Sequence, residues 1–207
     1  MLSFVSSIST NSDLESLADF SPNDVQVGKK IGEGYFSNVY VVVSITTGEK
    51  MVKKEAKPDR DPAQLKNEME LLRELEHPNV ISFYGEIIDY GSKTYKTEAG
   101  LFKFCSNGDL SQKIKLDGPI DIRLAKKYTT GKLSKHKLIP YSSFHLELVT
   151  GLDYLHSKMI LHRDLKAENV FIDENDSIKI ADFGAAGKNI ANIILAIKVT
   201  NTYHVFQ

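Results

Sequence analysis

Residues 162–184 read HRDLKAENVFIDENDSIKIADFG. His162, Arg163, Asp164, Leu165 and Asn169 fill every fixed position of H-R-D-L-x-x-x-N, and Asp182-Phe183-Gly184 closes the stretch behind a β-branched run. Each residue alone has an ordinary reading: Asp164 as a turn residue, His162 as a packed core histidine, Asp182 as a strand-end cap. Both motifs in this order, downstream of a glycine-rich hairpin, are hard to obtain by chance. The residue types suit phosphoryl transfer, which needs little covalent help and much positioning and charge neutralisation. Asp182 would hold a Mg²⁺ that bridges phosphates, and Asn169 a second ion. Asp164 would accept the proton of an attacking hydroxyl, and Lys166 would offset charge on the transferred group.

Upstream, IGEGYFSNVY (31–40) matches G-x-G-x-x-G-x-V except that Ser37 stands at the third glycine. A dinucleotide-binding loop would run into a helix. Here NVYVVVSI follows, which reads as strand, so an oxidoreductase of that kind is excluded. A glycine-rich hairpin over phosphates fits better, because Gly32 and Gly34 let backbone N–H groups approach. The expected nucleotide contacts here are Ile31, Gly32, Glu33, Gly34, Tyr35, Phe36, Ser37, Asn38 and Val39.

In GEKMVKKEA the adjacent Lys53 and Lys54 lie on opposite strand faces. Lys54 shares its face with Val52, a small apolar residue suited to packing on a base, so Lys54 is favoured for the phosphates over the reading of both lysines as solvated surface. DPAQLKNEMELLREL is the clearest helix. Asp61 can cap it, Pro62 suits its first turn and Gln64 completes a box-like cap. Leu65, Met69 and Leu72 form its apolar stripe. Glu68 lies on that seam, where a carboxylate needs a cation, and Lys54 is its expected partner. Glu70 and Glu74 lie off the seam.

These motifs together resemble the eukaryotic protein kinase family over about Val25–Gly184. HRDLKAEN resembles the serine/threonine form, and HPNVISFYG with DFGAA is similar to the tyrosine-kinase-like, mixed-lineage group. The resemblance implies an ATP- and Mg²⁺-dependent transfer to serine or threonine hydroxyls of a protein substrate, with Lys54, Glu68, Asp164 and Lys166 catalytic and Asn169 and Asp182 as metal ligands. It further implies Phe102 as gatekeeper, Lys103, Phe104 and Cys105 as the hinge that bonds adenine, Asp109 on the ribose side, and Val52 and Phe171 above and below the base. The departures are Ser37, Val52 for the usual alanine, and Lys53 for an apolar residue.

The implied fold is α+β and bilobal: a five-stranded antiparallel N-lobe with one helix (23–105), then the start of a helical C-lobe (106–187). Residues 1–22, rich in Ser, Asn and Asp, read as a disordered segment. GKLSKHKLIPYSSFHL (131–146) reads as an irregular insertion, since Gly131 and Pro140 should break a helix, although Phe144, Leu148, Leu152 and Leu155 would suit a replacement helix. Residues 188–207 carry no Pro-Glu anchor or activation-loop composition and read as a tail outside the family pattern. Gly131-Lys132 opens the first stretch and Gly187-Lys188 straddles the start of the second; codons for this dipeptide can hold a splice-donor signal, so both stretches are expected to be retained introns or gene-model errors. In family terms the ATP site is encoded without the peptide-binding half. The competing expectation is therefore a catalytically impaired nucleotide-binding or regulatory fragment.

The 207 residues are 42% apolar and 26% charged, with net charge −1 and one cysteine. This balance gives no footprint for nucleic acid or an anionic membrane, excludes an internal disulfide, and suits a reducing cytoplasmic or nuclear setting. No apolar run is long enough to span a bilayer.

Overall fold

The computed structural model describes residues 19–88, 99–117 and 141–188. Five strands, β1 (Val25–Glu33), β2 (Ser37–Ser44), β3 (Lys50–Ala56), β4 (Phe83–Glu86) and β5 (Ala99–Lys103), form one antiparallel sheet in the order β1-β2-β3-β5-β4. The valines of β2 favour a pleated, half-buried surface, and Val42 is wholly buried. Gly48 supplies the positive φ of 72° that the β2–β3 turn needs. Register sets Val52 opposite Phe102 and Lys54 opposite Gly100 on β5.

Helix α1 (Ala63–Arg73) packs its predicted stripe, Leu65, Met69 and Leu72, into the core. Burying each such side chain is worth about 1.5–3 kcal/mol. Gly100 lets the helix lie close: a Cβ there would stand 2.7 Å from the Met69 sulfur and 3.0 Å from the Phe83 ring. Asp61 Oδ1 accepts from Ala63 N at 2.9 Å, as expected of a start signal. The box-like cap is corrected: Pro62 occupies the cap position without a side-chain bond, and Gln64 lines the cleft instead.

Beyond β5 come α2 (Leu110–Asp117) and α3 (Tyr141–Ser157). Two small antiparallel pairs follow: β6 (Ile160–Leu161) with β9 (Gly187–Lys188), and β7 (Val170–Ile172) with β8 (Ile178–Ile180). The fold is thus α+β and bilobal as read from the sequence, and its largest apolar cluster runs through both lobes: Met69, Leu72, Phe83 and Phe102 on one side, Leu155, Ile160, Ile180 and Phe183 on the other.

Two boundaries are corrected. Part of the expected disordered segment 1–22 is ordered: Phe20 bridges Ile87, donates to Glu86 O at 2.8 Å, and packs on the cluster of Val25, Val42 and Met51. The apolar side chain, backbone bonds of Phe20 with Glu86 and Ile88, and a capping box between Ser21 and Asp24 hold residues 20–22. The expected irregular stretch 131–146 is helical from Tyr141 onward, directly after Pro140, while its earlier part, like residues 1–18 and 189–207, lies outside the described residues. In α3, Phe144 and Leu155 are buried, and Leu148 and Leu152 pack against the core. Gly151 lets the helix meet β8, since a Cβ there would come within 2.8 Å of the Ile180 side chain. Glu147 fixes this contact by accepting from Ile178 N at 2.8 Å and the Asn79 amide at 3.1 Å.

Candidate active site

A cleft of about 350 Å³ lies between the sheet and the β7–β8 pair. Its roof is the β1–β2 hairpin. Gly34 N donates to Ser37 O at 2.8 Å and closes the turn, so the loop is a hairpin and no helix follows. Ile31, Gly34, Tyr35, Phe36, Ser37 and Val39 line the cleft, whereas Gly32, Glu33 and Asn38 do not. Glu33 is engaged outward instead. Its carboxylate bonds Lys30 at 2.5 Å and Lys57 at 2.6 Å, and these two ammonium groups hold its pKa down to about 2. Asn38 Oδ1 is buried without a hydrogen-bond partner among the described residues. Tyr35 packs edge-on against Phe36 and accepts from Arg60 at 2.7 Å, which ties the hairpin tip to the β3–α1 loop.

Strand alternation brings Val52 and Lys54 into the cleft together. Lys54 Nζ lies 2.5 Å from Glu68 Oε2 and 2.9 Å from Asp182 Oδ1, with the side chains of Lys54 and Glu68 only 19% and 4% exposed. Lys53 turns away to Glu55, at 3.1 Å. Burial works to lower the Lys54 pKa, but the two carboxylates outweigh it and the net shift is upward. Burial also drives Glu68 upward, against the pull of Lys54. Both shifts are upward, so one favours the charged lysine while the other favours a neutral carboxyl beside it. The short contact, with a second carboxylate on the same nitrogen, decides for a charged lysine.

The back and floor follow from β5 and β7. Phe102 is buried and packs on Phe83 with ring centres 5.2 Å apart. Lys103, Phe104 and Cys105 line one edge, and Phe171 lines the floor. Asp109 does not reach the cleft wall. Its carboxylate accepts from Gln112 N at 2.8 Å and from the Gln112 side chain, so it caps the first turn of α2. An aspartate just before a helix has this competing role by nature, and the structure gives it that one.

Asp164 and Lys166 stand outside the cleft lining, bonded to each other at 2.8 Å, with side chains 44% and 49% exposed. The Lys166 hydrogen bond keeps Asp164 below the usual carboxylate range, and Asp164 in turn raises Lys166. Asn169 lines the cleft and donates its amide to Asp164 O at 2.8 Å and Oδ2 at 3.1 Å. Both bonds use the nitrogen, which leaves the Asn169 carbonyl oxygen as the group with which to face a cation. Asp182 adopts a left-handed backbone, φ 66°, that turns its carboxylate to Lys54 while Phe183 is fully buried. Buried His162 serves this packing: its Nε2 lies 2.9 Å from Ala181 O and its ring meets Phe183 edge-on.

Asn169 and Asp182 fit a hard cation only in part. Among the described residues no three His, Cys, Asp or Glu side chains gather at one point. Mg²⁺ is commonly held by one or two carboxylates plus substrate phosphates, so a ligand-poor site that opens on the cleft suits it.

Sequence reasoning did not reach Gln64, Ile81 and Ala181, which also line the cleft. Nor did it reach Asn67, which donates to Ala186 O at 3.1 Å and holds α1 to the segment after Gly184. These contacts join residues far apart in the chain, and no local pattern signals them.

Cys105 offers a probe, because it is the one cysteine of the chain. Burial, and then the charge of Asp173, push its thiol up to about 12. Its thiolate fraction at pH 7.5 should therefore be about three orders of magnitude below that of a free cysteine. Iodoacetamide labelling followed by mass spectrometry should be correspondingly slow and should slow further when a nucleotide fills the cleft. Labelling at the rate of free cysteine would show that the thiol is not enclosed.

A model of the protein kinase domain matches residues 25–204. CBL-interacting protein kinase 11 of Oryza sativa subsp. japonica is 32% identical over 164 residues, 77% of this chain and 28% of that protein. Aurora kinase of Saccharomyces cerevisiae is 32% identical over 182 residues, 86% of this chain and 44% of that protein. Mitogen-activated protein kinase kinase kinase 3 of Homo sapiens is 28% identical over 173 residues, 80% of this chain and 25% of that protein. The chain thus spans less than half the length of each of these curated relatives.

Proposed function

This chain belongs to the protein kinase family, and we propose that it transfers the γ-phosphoryl group of ATP, with Mg²⁺, to serine and threonine hydroxyls of proteins. The observation that carries this reading is the convergence of Lys54, Glu68 and Asp182 in a cleft that Ile31, Val39, Val52, Phe102 and Phe171 also line. Val52 and Phe171 would enclose the base, and backbone groups of residues 103–105 would bond its edge. Lys54, held by Glu68, would donate to the α- and β-phosphates. Asp182 and the Asn169 carbonyl would hold Mg²⁺, which when bound neutralises charge on the phosphate oxygens. Asp164, ionised at neutral pH because Lys166 stabilises its charge, would take the proton from the attacking hydroxyl. Lys166 would then lie beside the developing charge. The names of the relatives, all protein kinases, support the reading, and so does Lys166 in the serine/threonine form of the motif. Among the described residues no helix is long and apolar enough to cross a membrane.

The test is transfer of labelled γ-phosphate to a generic serine- and threonine-containing protein by the purified chain with Mg²⁺. Asp164→Asn should lower the rate about 10²- to 10⁴-fold, the usual size of a general-base contribution, and leave nucleotide binding in place. Transfer that does not depend on Asp164 overturns the assignment. Binding without transfer supports the nucleotide-binding regulatory role in its place.

A further inference from the structure

Apart from Glu68, Asp173 is the one acidic residue buried among the described residues, and the proposed chemistry does not use it. It stands two residues after Phe171, at the end of β7. Its Oδ1 accepts from Asn175 N at 2.9 Å and Ser177 N at 3.1 Å, closing the β7–β8 turn. Its Oδ2 faces two ammonium groups from different elements: Lys103 of β5 at 3.4 Å and Lys179 of β8 at 3.3 Å. Lys103 also reaches Glu174 at 3.0 Å, while Lys179 also donates to Pro78 O. The chain just beyond is stitched to the same turn. Asn107 donates its side chain to Asp173 O at 2.9 Å and its N–H to Ile172 O at 3.1 Å, and Ile172 N donates to Gly108 O at 2.8 Å. Burial works to raise the Asp173 pKa, but the two turn N–H groups and Lys179 outweigh it, so the carboxylate stays charged.

The cleft edge at 103–105 and the cleft floor at Phe171 are therefore joined by the backbone bonds of 107–108 to β7 and, on the side of the Lys103 side chain, by one buried anion. We propose that Asp173, acting through Lys103 and Lys179, is a positioning residue that fixes the spacing of edge and floor and so the slot's preference for adenine over guanine. The inference rests on the nucleotide reading above. Adenine and guanine stack alike and differ in the donors and acceptors along one edge. A slot distinguishes them by hydrogen bonds that the wrong base leaves unmade, and such bonds discriminate best when the edge peptides are held at a fixed offset from the floor on which the base stacks.

The test measures dissociation constants of fluorescent ADP and GDP, with Mg²⁺, for the full chain and for Asp173→Asn and Lys103→Met, with circular dichroism to verify folding. Lys103→Met alters a partly exposed side chain, so it keeps the test available if Asp173→Asn does not fold. The ratio of GDP to ADP dissociation constants should fall about tenfold in each variant, the size of one lost well-placed contact, and fall no further in the double variant. A general loss of stability would weaken both nucleotides in step and leave the ratio unchanged. That result, or no change in either constant, overturns the inference while the nucleotide reading stands. A wild-type chain that binds neither nucleotide overturns the nucleotide reading and this inference with it.

Discussion

Lys54→Met should weaken Mg-ADP binding roughly a hundredfold, the upper range for loss of a hydrogen bond to a charged group. Lys53→Met should change it less than about twofold, because Lys53 turns to Glu55 on the other strand face and does not line the cleft. The Lys54 variant should also acquire a new pH dependence. Without the ammonium, Glu68 is a buried carboxyl beside Asp182, and its folded-state pKa must lie above its ordinary value of 4.5. A carboxyl raised in the folded state binds more protons folded than unfolded, so stability falls as pH rises from about 4.5 through the raised value. Urea unfolding at pH 5 and pH 8 measures this, and the variant should be the more stable at pH 5. Equal stability at both, or equal loss of nucleotide from the two lysine variants, would sink the assignment of Lys54 and Glu68 as a buried pair serving the phosphates.

Phe183→Ala should cost about 3–5 kcal/mol, the range for removing a buried aromatic ring. The ring is fully buried, meets His162 at 5.0 Å between centres, and joins the cluster that links the lobes. Its own N–H donates to Glu68 Oε1 at 3.3 Å, so the cavity opens directly beneath the Lys54 pair. Thermal unfolding should shift down by roughly 6–20 °C for a chain of this size. Phe183→Leu, which keeps most of the volume, should cost less than half as much. A loss near 1 kcal/mol for the alanine variant would mean that the ring is not seated as described.

The legible parts of this molecule were those written at short range. Period-two alternation put Lys54 on the face of Val52, and helical period put Glu68 on the seam of Leu65 and Leu72. The turn residues of IGEGYFSN marked a hairpin. What escaped depends on partners distant in the chain. Phe20 is one of several scattered apolar residues in a Ser- and Asp-rich segment, with no period to single it out, and its place at the sheet edge beside Ile87 is set by distant partners. The two-residue strands β6 and β9 carry too few residues for any pattern. Asp109 was assigned to the cleft by resemblance, yet the sequence DLSQ just before a helix is also a cap signal, and the local hydrogen bonds prevail. Gln64 failed in the opposite sense: a good local capping pattern gave way to a position on the cleft wall.

The bond between Glu68 and Phe183 spans 115 residues of chain, and this separation has a consequence for how the molecule is made. A ribosome adds about 5–20 residues per second, so roughly 6–23 s pass between emergence of the two residues. The hairpin and α1 can assemble within that interval, because their contacts are local and close quickly. Glu68 can then reach Lys54, but neither Asp182 nor the ring of Phe183 yet covers the pair, and the underside of α1 remains wet. The seam between α1 and the Phe183 segment thus closes well after the sheet and α1 have packed on each other, and the face of α1 that meets Phe183 stays open to a chaperone or a protease until then.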